Sequence, residues 1–323
     1  MESINSTPTE FVADNGNEGY ETRKPDFVDK IEGFDIKNLS PENLEFMAHT
    51  IQDVFRENFP VSKELIDQIP ERMMYVSTED FVRLREDEKK EEIETELGFY
   101  NRKLEKMLIN VPRHETPGTL FSTMFHECLH FVSIQSGAGL TGDFLYPDIG
   151  DKETAEMHND LDEGVRVMVE GTTQNITHAY VIDKFGFQPQ PQMFSYEPEY
   201  QVTNAIWLPF SKEERMKAYF NTPIESLRVR VESAFSEKPV NDTPTGMFAN
   251  ILVDVARVTR DMKTALDSWM KDNNPDPVED VLNDVRHAVG NFIVRELEIG
   301  RRELDDDEEV LLQPYLEPYK AKE

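Results

Sequence analysis

The chain has 323 residues, and 64 acidic side chains face 34 basic ones, for a formal charge of −30 and a pI near 4.6. Such a surface cannot displace counterions from phosphates and is repelled by an anionic bilayer, which argues against nucleic acid and membrane as partners. Hydrophobic residues make up 38%, enough for a sizeable core at this length, and the single cysteine, Cys128, allows no intrachain disulfide.

Residues 1–8 hold no basic or apolar leader segment, so a cytoplasmic chain, or one exported without a signal peptide, is expected. No apolar run is long enough to span a membrane. Residues 1–38 are polar and acidic and read as a flexible tail. Ser40 followed by Pro41 is a helix start, and Leu44, Met47, Ala48, Ile51 and Phe55 continue it at helical spacing to about Asn58. A short helix is expected near 63–69 and a strand at 73–76. Residues 86–96 form a charge-dense run. Segments 98–100 and 106–111 read as two strands joined by a turn, with Pro112 closing the second. Pro117, Gly118 and Thr119 read as a turn and cap that open a helix over 120–134. Gly137, Gly139 and Gly142 mark a loop. Asn159 or Asp160 is the expected cap of a long helix reaching Asp183. Further helices are predicted near 198–208, 211–220, 223–235, 244–271 and 276–298, with a break at 273–277. Residues 1–40 hold nine acids against four bases, and residues 299–323 hold eight against four, so most of the acidic excess lies between the tails.

The helix over 120–134 contains His126-Glu127-Cys128-Leu129-His130. Histidines at i and i+4 share one helix face, so both imidazoles can reach one metal ion. Glu127 is placed to take a proton from a water activated by that metal. The surrounding residues are mostly apolar, and buried histidines and a buried carboxylate need partners there. A third ligand is expected on a second helix. Glu163-Gly164 and Glu170-Gly171 both offer a carboxylate, seven residues apart on one face. The glycines suggest close approach of that helix to the histidine helix.

The HExxH pattern followed by a Glu-Gly helix resembles the gluzincin clan of zinc metallopeptidases. The stretch Glu170-Gly171-Thr172-Thr173-Gln174-Asn175-Ile176-Thr177 is similar to the E-G-x-T-E-x-x-T segment of bacterial members, with Gln174 in place of a Glu. The likeness extends to the strands before the motif, to Tyr196-Glu197-Pro198-Glu199 and to Ala218-Tyr219-Phe220, over roughly residues 72–235. It implies an α+β, zincin-like fold. A small N-terminal lobe would carry a mixed sheet and the HExxH helix, and the C-terminal lobe would be mainly helical. It implies a catalytic domain over 39–240, a helical part of the same unit over 241–298 and an acidic tail over 299–323. One zinc ion would be held by His126, His130 and Glu170, with Glu163 the weaker choice, and Glu127 would be the general base. Tyr196 would stabilise the oxyanion, with Tyr200 and His178 behind it. Asp160, Glu163 and Thr123 are candidates to orient the ligands. The substrate would be a peptide or protein, aligned on an edge strand.

Cys128 points away from the ligand face and reads as an inert buried thiol. His114-Glu115 lacks the spacing of a metal site and receives no role. Two other functions fit parts of the sequence. One is a catalytically silent zinc-binding regulatory domain, which would not need Glu127. The other is an acidic interaction protein, which would not need zinc. For a peptidase, the acidic field would help hold the metal and favour basic peptides. The sequence does not set an oligomeric state.

Overall fold

The structure is a computed structural model, and it describes residues 25–85, 96–136, 153–194, 196–207, 215–216, 219–220 and 247–271. Nearly all of the charge-dense run at 86–96, the loop marked by Gly137, Gly139 and Gly142, most of the expected helix at 211–220, the expected helices at 223–235 and 276–298 and the acidic tail at 299–323 lie outside the described residues.

The described part is mainly helical with one small mixed sheet. Residues 25–38, expected to belong to a flexible tail, instead form helix α1 (Asp26–Glu32) and a 3-10 turn at Ile36–Asn38. Val28 and Ile31 are wholly buried, and Phe27 packs on Phe121 and Phe185. Three apolar residues in one short helix, Phe27, Val28 and Ile31, outweigh the polar composition around them. Helix α2 (Pro41–Asn58) follows as expected, and the Ser40 side chain accepts from the Asn43 N–H. The stretch expected as one short helix divides into α3 (Lys63–Asp67) and α4 (Ile69–Arg72), because Pro70 begins a new turn. Strand β1 (Met73–Val76), helix α5 (Thr78–Leu84), strand β2 (Gly98–Asn101) and strand β3 (Lys106–Asn110) come next.

The sheet order is β1-β3-β2, with β1 parallel and β2 antiparallel to β3. Alternation sorts β3 between two cores. Met107 and Ile109 face the main core, whereas Leu108 turns to a small satellite with Phe81 of α5. Strand β2 therefore lies at a sheet edge, and its outer side pairs with no described strand.

Helix α6 (Pro117–Gln135) packs on the main-core face of β2 and β3. It starts three residues earlier than the sequence suggests, because Thr116 is the cap. The Thr116 hydroxyl accepts from the Thr119 N–H at 3.1 Å, and the Thr116 N–H donates to the Thr119 hydroxyl at 3.2 Å. Pro117 sits at the first helical position, where its missing N–H costs nothing. Sixteen of its nineteen residues are buried, so it is the central rod of the core. Cys128 is among them, wholly buried.

Helix α7 (Glu153–His178) also starts earlier than expected, so Asn159 and Asp160 are interior residues and not caps. It continues into a π turn at Ala179–Lys184 and stops at Gly186, whose φ of 75° suits glycine. Helix α7 packs against α6, α8 (Glu197–Trp207) and α9 (Met247–Lys271). Its glycines do not serve contact with the histidine helix, contrary to expectation. A Cβ on Gly164 would lie 2.1 Å from the Leu252 carbonyl oxygen of α9, and one on Gly171 would lie 2.2 Å from the Glu199 carbonyl oxygen of α8. Among the described residues, no helix is long and apolar enough to cross a membrane.

Candidate functional site

Helices α6 and α7 bring His126, His130 and Glu170 together. His126 Nε2 and His130 Nε2 are 3.0 Å apart, and Glu170 Oε2 lies 3.3 and 3.2 Å from them. These three residues form a group that could hold a metal ion. A four-coordinate ion with bonds near 2.0–2.2 Å needs ligand atoms about 3.3 Å apart, so the triangle fits such an ion. Two imidazole nitrogens and one carboxylate oxygen suit a borderline transition metal better than an all-oxygen cation.

Glu163 does not join them. Seven residues of helix rise by about 10 Å, too far for both carboxylates to reach one ion. Glu163 instead forms a two-point ion pair with Arg166, at 2.8 Å to Nε and 2.6 Å to Nη2. Asp160 likewise faces away, held by Arg260 at 2.7 Å and Arg257 at 3.4 Å from α9. Thr123 does line the site.

Burial sets the electrostatics. It lowers the proton affinity of His126 against a smaller opposing pull from Glu170. At His130 burial acts the same way, but the Glu170 charge and hydrogen bond override it, and the affinity rises. Glu170 resists burial through both histidines and is held ionised. Glu127 has no such neighbour as its main influence, and burial pushes its carboxyl up to about 7. It is thus poised between acid and base near neutral pH.

Tyr196 stacks on the His126 ring, with centroids 5.4 Å apart and planes 10° from parallel. The Glu170 charge, then burial, raises its phenol well above the ordinary value, so it stays protonated. Tyr200 packs instead on His178, with ring planes tilted by 45°, and His178 Nε2 lies 3.0 Å from the Met193 carbonyl oxygen. Gln174 Nε2 donates to the same carbonyl at 2.5 Å and lies 2.6 Å from His178 Nε2. The amide at 174 supplies a donor that an ionised Glu would lack. Tyr219 takes no part in the cluster, because its hydroxyl lies 2.6 Å from Thr173 Oγ1 inside the core.

The group opens onto a cleft. One cavity of about 500 Å³ includes Thr123, His126, Gln174, Gln192 and Met193 in its lining. A second, of about 450 Å³, includes Arg85, Arg102, His130, Val169 and Glu170. Gly98, Glu127, Arg166 and Tyr196 border both. Gly98 is needed at that point: a Cβ there would meet Thr123 Cγ2 at 2.7 Å and Glu127 Cγ at 3.0 Å. Arg85, Arg102, Arg166 and Gln192 carried no motif in the sequence, and only the fold brings them to the cleft.

Comparison with known proteins finds no matching family model, no matching curated protein and no matching solved structure.

Proposed function

We propose that this protein is a zinc-dependent peptidase with a zincin-like fold, of the gluzincin type that its HExxH and Glu-Gly segments resemble. The observation that carries the reading is the convergence of His126, His130 and Glu170, with Glu127 beside them on an open cleft. The small mixed sheet ahead of the histidine helix is compatible with it.

A bound zinc ion would supply a Lewis acid for the scissile carbonyl and for water. His126, His130 and Glu170 would hold it. Glu127 accepts a proton from the water that attacks the carbonyl carbon. As the C–N bond breaks, it returns that proton to the leaving amine. Its value near 7 suits both transfers. Tyr196, still protonated, donates its O–H to the carbonyl oxygen as negative charge develops there. The outer edge of β2 offers backbone groups to an extended peptide, and Gly98 lets that strand lie close against Thr123 and Glu127 of the histidine helix.

The test is Glu127→Gln. Bound zinc, measured by elemental analysis, is expected to stay near one ion per chain. Cleavage of a diverse peptide library is expected to fall about 10³-fold or more. Equal inertness of wild type and variant would leave a silent zinc-binding domain, and absence of zinc affinity would sink the metal reading.

A further inference from the structure

As the proposed donor to the oxyanion, Tyr196 must stand within about 0.5 Å of its working place. Its stack on His126 does not supply that precision, because two flat rings slide across each other with little loss. The chain on either side of Tyr196 does. Glu199, three residues on, is wholly buried. Its Oε1 lies 2.5 Å from Lys263 Nζ of α9 and 3.5 Å from Arg166 Nη2 of α7, and its main chain lies against Gly171. Met193, three residues back, is buried too, and its carbonyl oxygen is the point at which the turn Pro191–Phe194 is tied to α7.

The tie is Gln174, one turn after Glu170 on the same helix face. An amide nitrogen carries two hydrogens. Gln174 Nε2 can therefore donate at once to the Met193 carbonyl, at 2.5 Å, and to His178 Nε2, at 2.6 Å. Turning the amide over would set its oxygen against the Met193 oxygen, so the donor orientation is fixed. A glutamate at 174, the residue of the E-G-x-T-E segment that this stretch resembles, would set a carboxylate there and push the turn away. The turn is braced from its other side by Gln192. Its Nε2 donates to the Arg113 carbonyl at 3.0 Å, and its Oε1 accepts from the Glu115 N–H at 3.1 Å, just ahead of α6. The segment before Tyr196 is thus held to both helices that carry the metal-ligand group.

We propose that Gln174 is a positioning residue for the reaction: through the Met193 carbonyl it fixes the turn that sets Tyr196 on His126, and an amide in place of the segment's carboxylate is what makes that tie possible. This rests on the peptidase reading, with Tyr196 as the oxyanion donor.

The experiment uses the full zinc-loaded chain and a peptide that the wild type cleaves. Gln174→Glu keeps the size of the side chain and loses both donors, and Gln174→Met loses them without adding charge. Both variants are expected to keep about one zinc per chain and a KM within about threefold of wild type, while kcat falls at least about tenfold. Tyr196→Phe is expected to lower kcat about 100-fold. Gln174→Met added to it should lower kcat by no more than about a further twofold, because the group it positions is gone. A general structural effect would instead multiply the two losses, and that outcome overturns the proposal. So does an unchanged kcat in Gln174→Met, and so does failure of both variants to fold, which would make Gln174 a tie of the core alone. Crystal structures of wild type and Gln174→Met give a readout free of activity. The Tyr196 ring is expected to shift on His126 by about 1 Å or more, and an unmoved ring overturns the proposal. A shifted ring in a protein whose wild type cleaves no peptide sinks the peptidase reading alone. Cleavage with an unmoved ring sinks the role of Gln174 alone.

Discussion

Helices α6 and α7 meet at the candidate site, and opposite means hold them there. Helix α6 is held by side chains. Phe121, Phe125, Leu129 and Val132 are wholly buried, and a threonine box closes its first turn. Helix α7 is held by its backbone. Gly164 and Gly171 let the main chains of α9 and α8 come within what would be contact distance of a Cβ. Thr172, Thr173 and Thr177 turn their hydroxyls back onto its own carbonyls, and Thr172 also accepts from Trp207 Nε1 at 2.9 Å. A side-chain interface can yield by rotamer changes, but an interface of two backbones cannot. The position of Glu170 therefore depends on two glycines whose tightest contacts are with α8 and α9 and not with His126 or His130.

The strongest way to break this contrast is to add one methyl to each helix. Gly171→Ala must push the Glu199 main chain away and is expected to lower stability by about 3 kcal/mol or more, or to prevent folding. Gly118→Ala on α6 meets side chains alone, Met193 and Phe187 at 3.4 Å and Thr116 Oγ1 at 3.8 Å, all ordinary contact distances, and is expected to stay within about 1 kcal/mol of wild type. Denaturant midpoints of both variants check the pair, and equal losses would end the distinction.

Metal affinity gives a somewhat smaller contrast within α7. Glu170→Gln is expected to weaken zinc binding by at least about 100-fold in competition with a chelating dye. Glu163→Gln, which weakens one of the two ion pairs of Arg166, should leave zinc affinity within about threefold. A large loss from Glu163→Gln would show that the backbone position of α7 does not by itself select the ligand.

The approach to α6 supplies a pH signature. His114 is buried, and neither ring nitrogen has a hydrogen-bond partner of good geometry among the described residues. Burial pushes its value down from 6.5 to about 4, with the Leu97 backbone a minor opposing influence. The unfolded chain therefore binds this proton first. Stability contributed by the neutral ring is full above about 6.5, falls as pH drops toward 4 and is lost below it. Between pH 6.5 and 5 the loss is about 2 kcal/mol. His114→Leu should flatten that part of the stability–pH curve, and an unchanged slope would refute the assignment.

The smallest effect concerns the start of α6. Thr116→Ala removes the cap and is expected to lower stability by about 1 kcal/mol without changing zinc affinity. Loss of zinc binding would mean that the cap sets the histidine positions as well as the helix end.

The legibility of the site follows the same division. His126, Glu127 and His130 share one turn of one helix, so their juxtaposition needs only helical geometry. Geometry alone leaves Glu163 and Glu170 as two choices, and the resemblance prefers Glu170. Both are Glu-Gly pairs on the same face, and the decision came from where α8 and α9 press on α7. Gly164 and Gly171 do mark close approach, but to α9 and α8 and not to the histidine helix, since nothing local specifies what lies across a helix face. Helix α1 is not legible in composition averaged over 38 residues, which hides the buried Val28 and Ile31. The cap of α7 was misplaced because Asn159 and Asp160 are good cap residues in an interior position, and Asp160 is used there to hold Arg257 and Arg260.

By itself the sequence determined the α6 motif, the α2 start at Ser40, the three strands and the excess of acid over base. All depend on residue type and on contacts a few positions apart, where spacing is geometry. Only the tertiary structure decided that Glu170 and not Glu163 faces the histidines, that Tyr196 stacks on His126, and that three arginines from three separate segments share one cavity of an acidic chain. Those contacts join residues tens of positions apart, and their distances depend on how whole helices and strands pack, which no local pattern encodes.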